Sequence, residues 1–311
     1  MSLTAVGSIA FDSVRTPFGE RDRMLGGSAV HFSLAASFFT DVRVVGPVGD
    51  DFGDEELGVL EGRGVITDDI ERVSGGETFF WRGHYEYDMN VAHTDDTQLN
   101  VFADFNPKLS QASCKADILF LGNIQPDLQR SVRERCEGAE FAALDSMNFW
   151  LDNEREALVR AIGTVDFLLL NDAEIRELTG EPNLARAARA AMEMGPNVVV
   201  AKRGEYGAAL FSSDDYFAIP GYLLEDVRDP TGAGDCFAGG FLGYLDSRRA
   251  AGDSVLDHEV LRQAMAYGSV LASFNVEDFG TDRMQSLTRE QIDERLREFR
   301  RITTFEVEAP S

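Results

Sequence analysis

The sequence predicts an α/β protein: a mainly parallel sheet covered by helices on both faces, three layers in all, with a small antiparallel β lid. Three observations lead there. Short apolar runs alternate with helix-periodic segments over most of the chain. One stretch, about residues 65–105, carries strand signals with no helix between them. Acidic and glycine-rich residues gather where the apolar runs stop. A chain of 311 residues can bury a full core. The recurring alternation favours one domain over 1–311, its lid built from about 11–27 and 65–105.

Taken in order, Thr4 to Ala10 reads as a buried strand ending at Asp12, and Phe11 to Leu25, with Pro17 and Gly19, as a hairpin. Ser28 is placed to cap a helix from Ala29 to Phe39. A strand Val42–Val48 and a helix Glu55–Glu61 follow. Regular alternation then returns: strands near 117–121, 141–144, 165–170 and 198–201, separated by helices at 126–136, 154–162, from Asn171 and from Leu184. Two strands surround Leu210 and Phe217. After the glycine-rich helix described below come an apolar-faced helix at 256–274 and a terminal helix opened by the capping box Thr288-Arg289-Glu290-Gln291. In such a sheet, ligands sit beyond the carboxyl ends of the strands, where Asp12, Asp145, Asn171, Lys202 and Asp229 are expected.

Composition narrows the partners. Twenty-nine basic against 54 acidic residues give a net charge of −25. That balance argues against nucleic acid and against anionic membranes. Only Lys108, Lys115 and Lys202 are lysines, and acid excess with arginine in place of lysine fits a salt-rich cytoplasm or a GC-rich genome. Cys114, Cys136 and Cys236 form no Cys-x-x-Cys pair and suggest no disulfide framework, so a reducing, cytoplasmic location is expected. The four histidines lack metal-ligand spacing.

The most informative stretch is Asp229-Pro230-Thr231-Gly232-Ala233-Gly234-Asp235-Cys236-Phe237-Ala238-Gly239-Gly240. Pro230 and the glycines end a strand in a tight turn, and a buried helix starts at about Gly234. The first amides of a helix lack internal partners and carry the positive end of its dipole, so a Gly-Ala-Gly start offers an anion site. Asp235 alone would also serve as a dipole-compensating acid. No Gly-Lys-Ser/Thr follows, so this is not a Walker loop.

The dodecamer resembles the signature of the ribokinase-like (PfkB) family of carbohydrate and nucleoside kinases, and the resemblance runs from about Thr4 to Gly280. It implies that Asp235 is the catalytic base and that Gly232, Ala233 and Gly234 form the anion hole. Gly7-Ser8-Ile9-Ala10-Phe11-Asp12 resembles the family's opening strand, whose last aspartate binds substrate hydroxyls; a turn-capping role would fit the same residue. Gly26-Gly27-Ser28-Ala29-Val30-His31 resembles the Gly-Gly hinge beside the substrate, with His31 where many sugar kinases have asparagine. A structural histidine remains open there.

Asn171-Asp172-Ala173-Glu174 resembles the Asn-x-x-Glu element that organises Mg²⁺ through water, and also reads as a helix capping box. Lys202-Arg203-Gly204-Glu205-Tyr206-Gly207 resembles the nucleotide loop, implying nucleotide contacts from Lys202, Gly204, Gly207 and Thr231. Asp229, with Thr231, matches the position of a monovalent cation, K⁺ in the family. Asp145-Ser146-Met147-Asn148 departs from the family's Asp-Pro-Asn loop and receives no role. The implied activity is ATP- and Mg²⁺-dependent phosphorylation of a hydroxyl on a small sugar or polyol. A nucleoside acceptor is the alternative, since Phe80, Trp81, Tyr85 and Tyr87 could stack on a base. Those aromatics could instead form the core of a homodimer through paired lids. A non-catalytic sugar- or nucleotide-binding regulator is the reading of another class; it would have no need of Asp235 or the Gly232–Gly234 string.

Overall fold

The computed structural model describes residues 2–213 and 215–304. In chain order the strands are β1 Leu3–Val6, β2 Ala10–Thr16, β3 Gly19–Gly26, β4 Val42–Val48, β5 Ile66–Arg72, β6 Phe79–Tyr85, β7 Ala92–Gln98, β8 Ile118–Leu121, β9 Phe141–Asp145, β10 Phe167–Asn171, β11 Val198–Lys202, β12 Ala208–Phe211 and β13 Tyr216–Ile219. The helices are α1 Ser28–Ala36, α2 Asp54–Glu61, α3 Pro126–Arg135, α4 Asn148–Asn153, α5 Arg155–Ile162, α6 Asp172–Thr179, α7 Leu184–Met192, α8 Ala233–Ala250, α9 His258–Asn275, α10 Asp282–Ser286 and α11 Arg289–Thr303.

Among the described residues the main sheet has the order β13-β12-β11-β10-β9-β8-β1-β4-β5, parallel except at β12 and β13. Its central strands are buried on both faces, and their residues enter two cores by turns. Phe167 and Leu169 of β10 pack with α1, α8, α9 and α11, whereas Leu168 and Leu170 pack with α3, α5, α6 and α7. Side chains of a strand alternate between faces, so continuous apolar runs require this three-layer arrangement. Helices α1 and α8 approach closely because Gly239 lies under the Phe32 carbonyl, 2.3 Å from where a Cβ would stand. No described helix is long and apolar enough to cross a membrane.

The second sheet has the order β3-β2-β6-β7, antiparallel at β2–β3 and β6–β7 and parallel across the β2–β6 seam. Several sequence expectations are corrected here. The opening strand is two strands: β1 stays in the main sheet, Gly7–Ile9 carries the chain across, and Asp12 belongs to β2 of the small sheet. β5 pairs with β4 in the main sheet, so the lid's second part begins at β6 and not at residue 65. Ser28 is the first helical residue of α1 and not its cap; its hydroxyl accepts from Ser8 N–H at 3.2 Å while Gly27 occupies the cap. No strand precedes the signature: residues 220–232 are irregular. Finally, Cys114 and Cys136 are joined by a disulfide. The β8–α3 unit returns the end of α3 to the start of β8, a proximity that a separation of 22 residues conceals.

Candidate active site

The glycine-rich turn into α8 is fixed by its backbone. Gly232 caps the helix at φ +75°, in the left-handed region, and a Cβ there would lie 2.4 Å from the His31 ring. Both conformation and space therefore demand glycine. The turn closes with Ala233 N–H donating to Pro230 O at 3.1 Å, so an anion at this amide shares it with that carbonyl. Asp229, at 0% exposure, stitches the turn to the chain after α9: Oδ1 accepts from Thr231 N–H at 2.9 Å and Oδ2 from Gly280 N–H at 3.0 Å. Burial still pushes its carboxyl upward.

Three consecutive parallel strands deliver polar ends to the first turn of α8. The ladders align Asn171 of β10 with Lys202 of β11, and Leu169 with Asp145 of β9. Lys202 Nζ contacts Asp145 Oδ2 at 2.5 Å and would lie 3.1 Å from a Cβ on Gly234. Burial alone would lower the Lys202 pKa, but Asp145, Glu174 and Asp235 outweigh it and hold the ammonium charged. Asp235, half-buried, is pushed up to about 7 by burial and by Asp145, with Lys202 opposing. Glu174 is pushed to about 7 by burial and Asp145, with Lys202 and the Asn171 N–H opposing. Asn171 and Glu174 do form the capping box: Asn171 Oδ1 accepts from Glu174 N–H and Glu174 Oε2 from Asn171 N–H, both at 2.8 Å. The Asn171 carboxamide oxygen and one Glu174 oxygen are thereby engaged.

Across the cleft, β2 presents Asp12. Gly26 leaves room for its carboxylate, since a Cβ at residue 26 would stand 2.0 Å from Asp12 Oδ2. Gly27, at φ +96°, passes close to Ser8 O. Burial and Asp229 push Asp12 up to about 7; the Gly27 N–H pulls it back, and Asp235 adds to the rise. Asp12 on β2 and Asp235 in the first turn of α8 thus lie close enough for the charge of Asp235 to be felt at Asp12.

The structure brings Asp12, Asn171, Glu174, Lys202, Asp229 and Asp235 together. Gly204 and Gly207 lie on the turn beyond Lys202, with φ +55° and +89°. Thr231 Oγ1 is 3.3 Å from the Tyr85 hydroxyl. Of the two readings of His31, the structural one fits its surroundings better than substrate contact: its ring is 1% exposed beneath Gly232, and burial pushes it down to about 4, so it is neutral. Its Nδ1 meets Asn275 Oδ1 at 3.1 Å, and Asn275 Nδ2 donates to Thr231 O at 2.7 Å. His31 reaches the site through the turn it supports.

Sequence reasoning missed Asn275, and it placed Asp145 and Tyr85 near the site without the contacts they make. Asp145 was set aside because its loop departs from the family pattern. Asn275, inside an apolar helix, had no motif. Tyr85 was one of four aromatics, of which Tyr87 is 90% exposed and Phe80 shares its ladder position with Phe11 on the opposite side of β6. Strand parity puts Trp81 and Tyr85 on one face of β6, but that this is the face of Asp12 follows only from the β2–β6 register.

A family model described as pfkB family carbohydrate kinase matches residues 16–288. A nucleoside kinase of Methanothermobacter thermautotrophicus is 28% identical over 301 residues, 90% of each chain. A cytidine kinase of Thermococcus kodakarensis is 26% identical over 255 residues, 80% of this chain and 90% of its own. Among solved structures, an E. coli protein described as a ribokinase II, in complex with ATP and Mg²⁺, superposes with a TM-score of 0.76 at 19% identity, covering 97% of this chain and 99% of its own.

Proposed function

Because the chain belongs to the pfkB family of carbohydrate kinases, we propose that it transfers the γ-phosphoryl group of ATP to a hydroxyl of a small sugar or related polyol. The observation that carries this reading is the placement of Asp235. It stands in the first turn of α8, beside the Gly232–Gly234 turn, facing Asp12 across the cleft. Asp12 accepts hydrogen bonds from acceptor hydroxyls and orients the one that reacts. Asp235 receives that hydroxyl's proton as the oxygen attacks phosphorus. In a loose transition state it positions the nucleophile more than it activates it. The free amides of the α8 turn and the Lys202 ammonium stabilise charge on the transferred group. Lys202 is kept from collapsing onto Asp235 by its pairing with Asp145.

Magnesium fits the donor set. Glu174 is a buried carboxylate with one oxygen not used by the capping box, suited to holding Mg²⁺ largely through water, with Asn171 beside it. Bound with the nucleotide, the ion supplies neutralisation of the phosphate oxygens. Asp229 with Thr231 would hold K⁺, since each Asp229 oxygen has a lone pair beyond its amide partner. Rates that are equal in K⁺, Na⁺ and choline salts would remove that assignment.

A nucleoside acceptor is the second reading. It is favoured by two relatives that match 80–90% of this chain and 90% of their own, named as nucleoside and cytidine kinases. In both cases the reacting group is a hydroxyl carried by a sugar ring. ADP release with ATP and Mg²⁺ over pentoses, hexoses, inositols and nucleosides separates them. Turnover confined to free sugars supports the first reading, turnover confined to nucleosides supports the second, and none with any acceptor contradicts both.

A further inference from the structure

The β6–β7 hairpin touches both halves of the site. In the β2–β6 ladder Trp81 lies beside Asp12, so β6 borders the acceptor side. Four residues on and on the same face, Tyr85 places its hydroxyl 3.3 Å from Thr231 Oγ1. The ring is 9% exposed. Burial pushes the phenol up and keeps it neutral, the Thr231 hydroxyl that donates to it opposing and Asp229 and Asp12 adding to the rise. The following turn then carries the chain onto the loop after β11. There Asn90 Nδ2 donates to Glu205 Oε1 at 3.1 Å. Asn90 Oδ1 lies 2.5 Å from where a Cβ on Gly204 would stand, so the carboxamide sits directly on that glycine. Met89, in the same turn, has φ +58°, a conformation that a non-glycine residue holds where its surroundings fix it.

We propose that Tyr85 and Asn90 are positioning residues that bind the acceptor lid, the signature turn and the nucleotide loop into one unit, so that filling either substrate site tightens the other. The physical basis is shared ordering. Fixing residues 86–91 against Gly204–Glu205 costs conformational entropy. The ligand that arrives first bears that cost, and the second binds to a hairpin already held. The coupling is reciprocal, because both ligands bias one element. The identity of the two ligands rests on the kinase reading above; the two docking points do not.

Initial rates over a grid of ATP–Mg²⁺ and acceptor concentrations test this, using wild type, Asn90→Ala and Tyr85→Phe. In the wild type each substrate lowers the KM of the other. Each variant weakens that mutual effect by about three- to tenfold, the loss of one hydrogen bond, with the change falling in KM more than in kcat. Absence of coupling in the wild type, or wild-type coupling in both variants, overturns the proposal; so does a loss of kcat with both KM values unchanged. If no acceptor turns over, the kinase reading fails separately, and hydrogen exchange then reads the hairpin. Mg–ADP slows exchange across residues 86–91 in the wild type and not in Asn90→Ala; identical exchange in the two proteins overturns the proposal.

Discussion

In the main sheet, successive residues of each central strand are sealed in two different cores, whereas in the lid β7 is exposed at every position and β3 at its first five. The body is therefore held by apolar burial on both faces and keeps its shape whatever is bound. The lid's two outer strands have little burial of their own, although β2 between them is buried at six of its seven positions. At its base the lid is anchored by Phe11 and Leu25, which join the body's core; farther out it meets the body through polar contacts, such as Tyr85 with Thr231 and Asn90 with Glu205. The site lies on the seam: Asp235, Lys202 and Glu174 come from the body and Asp12 from the lid. Substitutions at the seam should change rates with small stability costs, and substitutions in the body should do the reverse.

The largest effect is expected at Gly232→Ala. The added methyl meets His31 and forces a left-handed backbone onto alanine, displacing the anion-hole turn. A loss of about 10²–10³ in kcat is expected, with the circular dichroism spectrum retained. Near-normal kcat would mean that the turn's geometry is not what stabilises the transferred group.

Next in size is the pH dependence. As the proposed base Asp235 works only when ionised, and burial and Asp145 push its carboxyl up to about 7 against Lys202. Hence kcat/KM should rise at least about tenfold per pH unit below that value, more steeply where Asp12 must ionise as well, and level off above it. A profile flat from pH 5 to 8 would contradict the environment described for Asp235.

Asp12→Asn sharpens the contrast by separating function from stability. Its carboxyl titrates near 7 in the folded state and near 3.9 when unfolded. The folded protein holds that proton more tightly, so the associated stability is complete below about pH 4 and is lost as pH rises to about 7. At pH 8 the variant should therefore melt several degrees higher than the wild type, with the gap closing toward pH 4. Its acceptor KM should rise about tenfold or more, as expected for lost charge-assisted hydrogen bonds. A lower melting temperature at pH 8 would contradict the burial of an ionised group.

The smallest effect on rate is expected deep in the body. Leu169→Ala opens a cavity beneath β10 and should cost about 2–5 kcal/mol, while kcat measured well below the melting temperature stays close to wild type. A large fall in kcat there would show that body and seam are not energetically separate.

The same contrast decided what the sequence could reveal. Val42–Val48 was placed to the residue, and β8 to β11 nearly so, because β-branched and leucine runs between turn residues have few other uses in an α/β chain. The lid was harder. β7, Ala-His-Thr-Asp-Asp-Thr-Gln, has no apolar alternation and is a strand because β6 pairs with it. β5 was recognised as a strand but assigned to the wrong sheet, since a period of two does not say which neighbour a strand joins. The glycines and acids of the site were legible because their chemistry is local. The contacts of Asp145, Asn275 and Tyr85 were not, because each acts on a partner 57, 44 or 146 residues away.

The central claim is that Asp235 is the base on this seam. The direct measurement is acceptor-dependent ADP release at pH 8 by the wild type and by Asp235→Asn, with nucleotide affinity and melting temperature recorded for both. The account predicts a loss on the order of 10²-fold or more in kcat with nucleotide binding retained. A variant that turns over acceptor at close to the wild-type rate would contradict it.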